Sequence, residues 1–254
     1  MNDSLYIAAT GMQAQQLNID SIANNLANVT TTGFKKGHVS FRELMQMAPG
    51  HSGGAPAGNV GLGISANSVV RDFAAGALTR TNAQMDVAVD GSGFIGVTLP
   101  DGTHAYSRGG SLRVTEDSYL ATSGGYVLSP SIHIPEGATS ISIATDGKVS
   151  VQTAARAEPV EVGQIELANF ANAAGLKGAG SGVYLPTEES GEAIFGKPGT
   201  RGFGSLSQGA LEASNVSMVD EMVTLMIAQR AYEMSSKVIQ ASDEIMALTN
   251  KLRS

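Results

Sequence analysis

Gly91-Ser-Gly93-Phe-Ile-Gly96 has the G-x-G-x-x-G spacing that lets backbone N–H groups approach a dinucleotide pyrophosphate. That chemistry needs a strand before the glycines and a helix after them. Asp86-Val-Ala-Val-Asp90 alternates as a strand does, but Val97-Thr-Leu-Pro100-Asp-Gly102 reads as strand and turn. Gly191-Glu-Ala-Ile-Phe-Gly196-Lys197-Pro198 comes within one residue of a phosphate-binding loop. Proline stands where a Ser or Thr hydroxyl would hold magnesium, and Gly199 discourages the helix that should follow. The four histidines, His38, His51, His104 and His133, share no metal-ligand spacing. Glu116-Asp117 and Glu188-Glu189 are most simply exposed loop charges. No catalytic residue, cofactor or metal is expected.

Composition narrows the classes further. The chain has 254 residues, 31 of them glycine, with seven phenylalanines, six tyrosines and no tryptophan. This predicts many turns and a core of Ala, Val, Ile, Leu and Met. A net charge of −7, from 16 basic and 23 acidic residues, supplies no basic face for nucleic acid or an anionic membrane. Cysteine is absent, which excludes disulfides and thiolate chemistry. No apolar run approaches the roughly 18 residues of a membrane span, so no lipid insertion is expected. Met1-Asn-Asp-Ser-Leu5 carries no positive charge and opens no continuous apolar stretch, so no cleaved secretory signal is expected.

The elements that would position any site divide the chain into three. From Ser4 to Asn28 there is no proline and one glycine, and Leu5, Met12, Ile19 and Leu26 recur at seven-residue spacing with Ala8, Gln15, Ile22 and Val29 between them. This predicts an amphipathic helix ending near Asn28, ahead of Thr30-Thr-Thr-Gly33. Asn215 to Leu252 has neither Gly nor Pro and carries two apolar faces. Ile227, Met234, Ala241 and Leu248 with Ala231, Val238, Ile245 and Leu252 form one; Met222, Leu225, Tyr232, Ile239 and Met246 form the other. Asn215 or Ser217 is the expected N-cap. Between the helices the period falls to two, with strands expected over 86–90, 94–99, 125–128, 140–144, 148–151 and 164–170, and Asp-Gly turns at 101–102 and 146–147. Pro49-Gly-His-Ser-Gly-Gly-Ala-Pro-Ala-Gly58 reads as a loop or linker.

The expected fold class is therefore α+β. N- and C-terminal helices (1–34 with 213–254) pair as a coiled-coil-like domain, 35–75 connects, and the middle (76–212) forms an all-β domain. Two readings of the ends stay open. The helices could simply pair and cap a soluble β-domain, such as a ligand-binding module. Alternatively, their second apolar face could be covered by neighbouring chains.

Ala23-Asn-Asn-Leu-Ala-Asn-Val-Thr-Thr-Thr-Gly-Phe-Lys-Lys36 resembles the N-terminal signature of the flagellar rod, hook and hook-associated proteins. Gly209-Ala-Leu-Glu-Ala-Ser-Asn-Val-Ser217 and Gln229-Arg-Ala-Tyr-Glu233 are similar to the family's C-terminal motif. Met85–Phe94, Tyr106–Leu112, Ser131–Pro135, Val162–Phe170 and Gly202–Leu206 resemble the distal-rod branch. Gly109-Gly110 departs from the Asp-Gly turn common there. The short linker around Gly50–Val60 keeps a proximal-rod or hook-type paralogue as the alternative.

The resemblance implies a self-assembling structural subunit of the basal-body rod, not an enzyme. It would form a hollow helical drive shaft that transmits torque to the hook. Its implied partners are other copies of itself, proximal rod and hook subunits, the bushing rings and the flagellar type III export apparatus. Its implied place is the periplasm and through the outer membrane. The ends are implied to order on assembly, leaving a resistant core near residues 36–212 in the monomer. Leu5, Met12, Ile19, Ile22 and Leu26 are then expected to pack against Ile227, Met234, Val238, Ile245 and Leu248 of the same or neighbouring subunits. Asn24, Asn25 and Asn28 are expected to hold the helix end by bonds to backbone, with Gly33 at positive φ and Phe34 beside it.

Overall fold

The structure, a computed structural model, describes residues 2–47, 59–154 and 156–251. The Pro49–Gly58 linker lies outside the described residues. The chain is α+β, as its periodicities predict, and divides into two compact units. One holds residues 1–27, 37–70 and 216–254; the other holds 28–36 and 71–215.

In the first unit, helix α1 (Asn2–Ala27) lies against helix α2 (Met218–Lys251). They run antiparallel: Asn25 meets Glu221 and Gly11 meets Ser235, so one number falls as the other rises. The seam is lined largely by small side chains. Ala8, Ala14, Ser21 and Ile22 are buried on α1, and Ala228 is buried on α2 between the half-buried Leu225, Ser235, Ile239 and Met246. The N-cap of α2 is Ser217, whose hydroxyl accepts from the Asp220 N–H at 3.5 Å. Acidic Asp220 and Glu221 in the first turn suit the positive end of the helix dipole. The segment read as a connector carries two strands of this unit, β1 (Gly37–Met47) and β2 (Asn59–Arg71), which form a two-stranded sheet. Long polar side chains and glycines hid their alternation.

The second unit is antiparallel β throughout its described pairings. Its main sheet runs Lys177–Gly180, Val183–Leu185, His104–Ser107, Phe94–Thr98, Val127–Ser129, Leu120–Thr122, Gly109–Val114, Asp86–Asp90 and Ser205–Gln208 in spatial order. A three-stranded sheet, Ala138–Ile143, Lys148–Thr153 and Arg156–Gln164, adds Ile143, Val149 and Val151 to the apolar core that Val87, Val89, Ile95, Leu112 and Leu128 build. Alternation along Phe94–Thr98 sends Phe94 the other way, into an aromatic cluster with Tyr106, Phe170 and Tyr184. The predicted Asp-Gly turns are both present: Gly102 and Gly147 have φ of +82° and +86°, and Asp101 and Asp146 accept from the backbone two residues on. At the Gly109-Gly110 pair the backbone conformation suits glycine at its first position. Gly109 has a φ of +106°, and a Cβ there would run into the Val87 carbonyl oxygen on the paired strand.

Candidate functional site

Neither phosphate-loop string builds an anion site. The Gly91–Gly93 loop joins two strands, and its carbonyls turn toward a cation. The Arg108 guanidinium donates to the Gly93 and Gly91 oxygens at 2.7 and 2.9 Å. Ile194–Gly196 is a strand, and the turn behind it closes with the Gly199 N–H donating to Gly204 O at 2.8 Å. His133 stacks edge-on against Tyr119 at 5.6 Å. Among the described residues no three acidic or imidazole groups are placed to share a metal.

The side chains expected at an interface divide sharply between the helices. On α1, Ile22 is 3% exposed, and Met12, Ile19 and Leu26 are half-buried. Leu5 lies within α1, with its side chain outside the described residues. On α2, Ile227, Met234, Val238, Ile245 and Leu248 are each more than half exposed. Of the two apolar faces of α2, the one through Leu225, Ile239 and Met246 meets α1, and the one through Ile227, Ile245 and Leu248 is left open. Met218, Val219, Met222, Val223 and Met226 are exposed at the start of the helix; Met222, which spacing groups with Leu225, does not share its burial.

The end of α1 is held by one asparagine more than its neighbours. Asn25 is 2% exposed; its amide donates to Gly37 O at 2.8 Å and to Glu221 at 3.2 Å, while its oxygen accepts from the Gly37 N–H at 2.9 Å. Ser21 donates to the same Gly37 oxygen. Asn25 thereby ties α1 to β1 and α2. Asn24 is exposed, and Asn28 opens the following turn, accepting from the Thr31 N–H at 3.1 Å and the Thr31 hydroxyl at 3.2 Å. In the second unit, Gly33 has φ +68° and its N–H donates to Glu212 O at 2.7 Å, while the Arg71 guanidinium lies 5.9 Å from the Phe34 ring.

Sequence reasoning passed over the most buried charges in the second unit. Glu212 is 3% exposed and accepts from Lys35 Nζ at 2.7 Å, Arg108 Nε at 3.1 Å and the Gly76 N–H at 2.8 Å. Lys35, fully buried, also donates to Ala74 O at 2.7 Å. Burial alone would raise the Glu212 carboxyl, but the hydrogen bonds from Arg108 and Lys35 hold it below its ordinary value of 4.5. Burial pulls the Lys35 ammonium below its ordinary value, against the opposing pull of Glu212. Lys35, Arg108 and Glu212 each sat inside a quoted motif, but only three-dimensional convergence reveals them as one cluster. Asn215 closes the same region, accepting from the Lys36 N–H at 2.8 Å and donating to Asp72 O at 2.8 Å.

This clamp sets where the β-rich unit can be cut. A fragment of residues 28–215 keeps Lys35, Gly33 and Asn215; a fragment of 36–212 loses all three. The longer fragment is expected to be more stable by about 2 kcal/mol or more, because the shorter one forfeits a charge-assisted bond and several backbone bonds. Urea unfolding of the two fragments measures this directly.

Three family models match the chain: one for flagella basal body rod proteins at residues 5–35, one for the flagellar hook protein FlgE/F/G D1 domain at 88–151, and one for the flagellar basal body rod FlgEFG C-terminal region at 207–252. The chain is 46% identical to the flagellar basal-body rod protein FlgG of Borreliella burgdorferi, across 100% of this chain and 99% of the relative. It belongs to the flagellar basal-body rod protein family. The FlgG of Caulobacter vibrioides is 42% identical over 99% of both chains. The flagellar hook protein FlgE of Escherichia coli is 23% identical, over 97% of this chain and 99% of the relative. The resemblance read from the terminal and central motifs is thus borne out, and the chain is a structural subunit of the basal-body rod. Lys35 lies within the first matched region, Arg108 within the second and Glu212 within the third, so the buried clamp joins all three parts of the rod-protein sequence.

Proposed function

We propose that this chain is a distal-rod subunit, and that copies of it polymerise through the open face of α2 into a hollow helical shaft carrying torque to the hook. It does so by rigidity, with no chemistry of its own. The observation that carries this reading is the apolar row Ile227, Met234, Val238, Ile245 and Leu248, turned away from α1 and exposed to water. Each such side chain taken out of water contributes about 1.5–3 kcal/mol, and the row from Ile227 to Leu248 spreads them over roughly 30 Å of the 34-residue helix. The α1–α2 seam is rich in small residues, and the larger side chains along it, Met12, Ile19, Leu26, Leu225, Ile239 and Met246, are only half-buried. The helices gain most of their order when neighbouring copies cover the second face.

The FlgG relatives share 39–46% identity with the chain and the hook protein shares 23%, which favours a rod reading over a hook-type one. On this reading the partners are further copies, proximal rod and hook subunits, and the bushing rings. The type III export apparatus delivers the chain to the periplasm and across the outer membrane. Ile245→Asp tests the reading: rods fail to assemble while the β-rich unit stays folded. Normal motility in cells carrying that substitution would overturn it.

A further inference from the structure

Four of the exposed side chains of α2 are thioethers. Met218, Met222 and Met226 follow one another at four-residue spacing, which places them in a single row on the helix, and Met234 lies among the Ile227 and Ile245 row. Their exposures are 50%, 52%, 59% and 63%. Met12, Met85 and Met246 are half-buried, and Met85 packs against the apolar core of the β-rich unit. Among the methionines whose side chains are described, the most solvent-accessible sulfurs are therefore those on the exposed side of α2, which assembly would cover.

We propose that this methionine row makes assembly oxidant-sensitive: a peroxide reaching the free subunit converts Met218, Met222, Met226 and Met234 to sulfoxides, and an oxidised subunit cannot be added until it is reduced. The inference rests on the reading that the open face of α2 is buried between copies. In the reaction the sulfur lone pair attacks one peroxide oxygen. An S–O bond forms, the O–O bond breaks, the sulfur is oxidised to sulfoxide, and the departing oxygen takes up a proton and leaves as water. The new S=O is a strong acceptor on a formerly apolar side chain. Against a neighbouring apolar face it finds no donor, so its desolvation opposes the contact that the thioether favoured. Once the face is covered, the same sulfurs are out of reach of the oxidant. The sensitivity belongs to the subunit before it is added and not to the finished polymer.

The test uses the full chain, treated with hydrogen peroxide and checked by mass for the sites oxidised. Assembly is followed by sedimentation over a range of concentrations. Oxidised wild type is expected to need about tenfold more protein, or greater, to assemble. Treatment with the two methionine sulfoxide reductases, one per epimer, restores the original threshold. The M218L/M222L/M226L/M234L variant, close in volume and apolarity, is compared with itself before and after peroxide, and its own threshold is unmoved by the treatment. An unchanged threshold in wild type carrying the four sulfoxides overturns the proposal, as does an equal loss in the leucine variant. Failure of the untreated chain to self-associate at any concentration overturns the assembly reading itself, which separates the two failures.

Discussion

Replacing Glu212 with alanine is expected to lower the melting temperature of the β-rich unit by on the order of 10 °C. The carboxylate sits between two cations: Lys35 Nζ at 2.7 Å and Arg108 Nε at 3.1 Å, all three side chains being almost fully buried. Its removal leaves two buried positive charges with the carbonyl dipoles of Ala74, Gly91 and Gly93, the Phe94 ring 5.7 Å from Arg108 and the charge of Asp72 to stabilise them. Breaking a buried pair in this way costs about 3–5 kcal/mol. Charge counting also predicts an asymmetry. Lys35→Met removes the more expendable cation and leaves Glu212 balanced by Arg108, so it should cost clearly less. Because the Glu212 carboxyl is held below its ordinary value, its contribution is present above pH 4.5 and is lost as pH falls through the lowered value. The Glu212→Ala variant should lack that acid-side loss. Thermal unfolding of wild type and both variants across acidic pH checks all three statements.

Ile245→Asp is expected to abolish motility while leaving the melting of the β-rich unit unchanged. Ile245 is 57% exposed in the single chain, so an aspartate there meets water and costs the monomer little. In an assembled rod the same carboxylate would be driven against an apolar neighbour. An unpaired buried charge is not tolerated there, and the loss repeats at every contact of the polymer. Paired assays of swarming and monomer melting separate an assembly defect from a folding defect.

Which parts of this were legible depends on what each signal encodes. Seven-residue spacing located both helices, and period-two alternation located the central strands, because those periods record which face is buried. The two stripes on α2 were both visible, but spacing cannot say which stripe meets α1. The stripe that meets α1, through Leu225, Ile239 and Met246, flanks the small side chains Ala228 and Ser235, which let the helices approach. Strands β1 and β2 escaped because Gly37–Met47 carries His38, Glu43 and Gln46 among its apolar residues and the stretch Pro49–Gly58 reads as pure loop. The clamp escaped for another reason. Lys35, Arg108 and Glu212 are charged residues 73 and 104 positions apart along the chain (108 − 35 and 212 − 108), and no local pattern marks a charge that will be buried. Asn25 was distinguishable from Asn24 and Asn28 only by phase: it lies on the buried side of α1 with Ser21 and Ile22.

The most direct measurement of the central claim uses the absence of native cysteine. A single Ile227→Cys substitution gives one thiol on the open face of α2, where Ile227 is 64% exposed. Maleimide labelling is compared between purified monomer and isolated basal bodies. The account predicts rapid labelling of the monomer and strong protection in the basal body. Equal labelling in both would place that face in solvent in the finished rod and contradict the account.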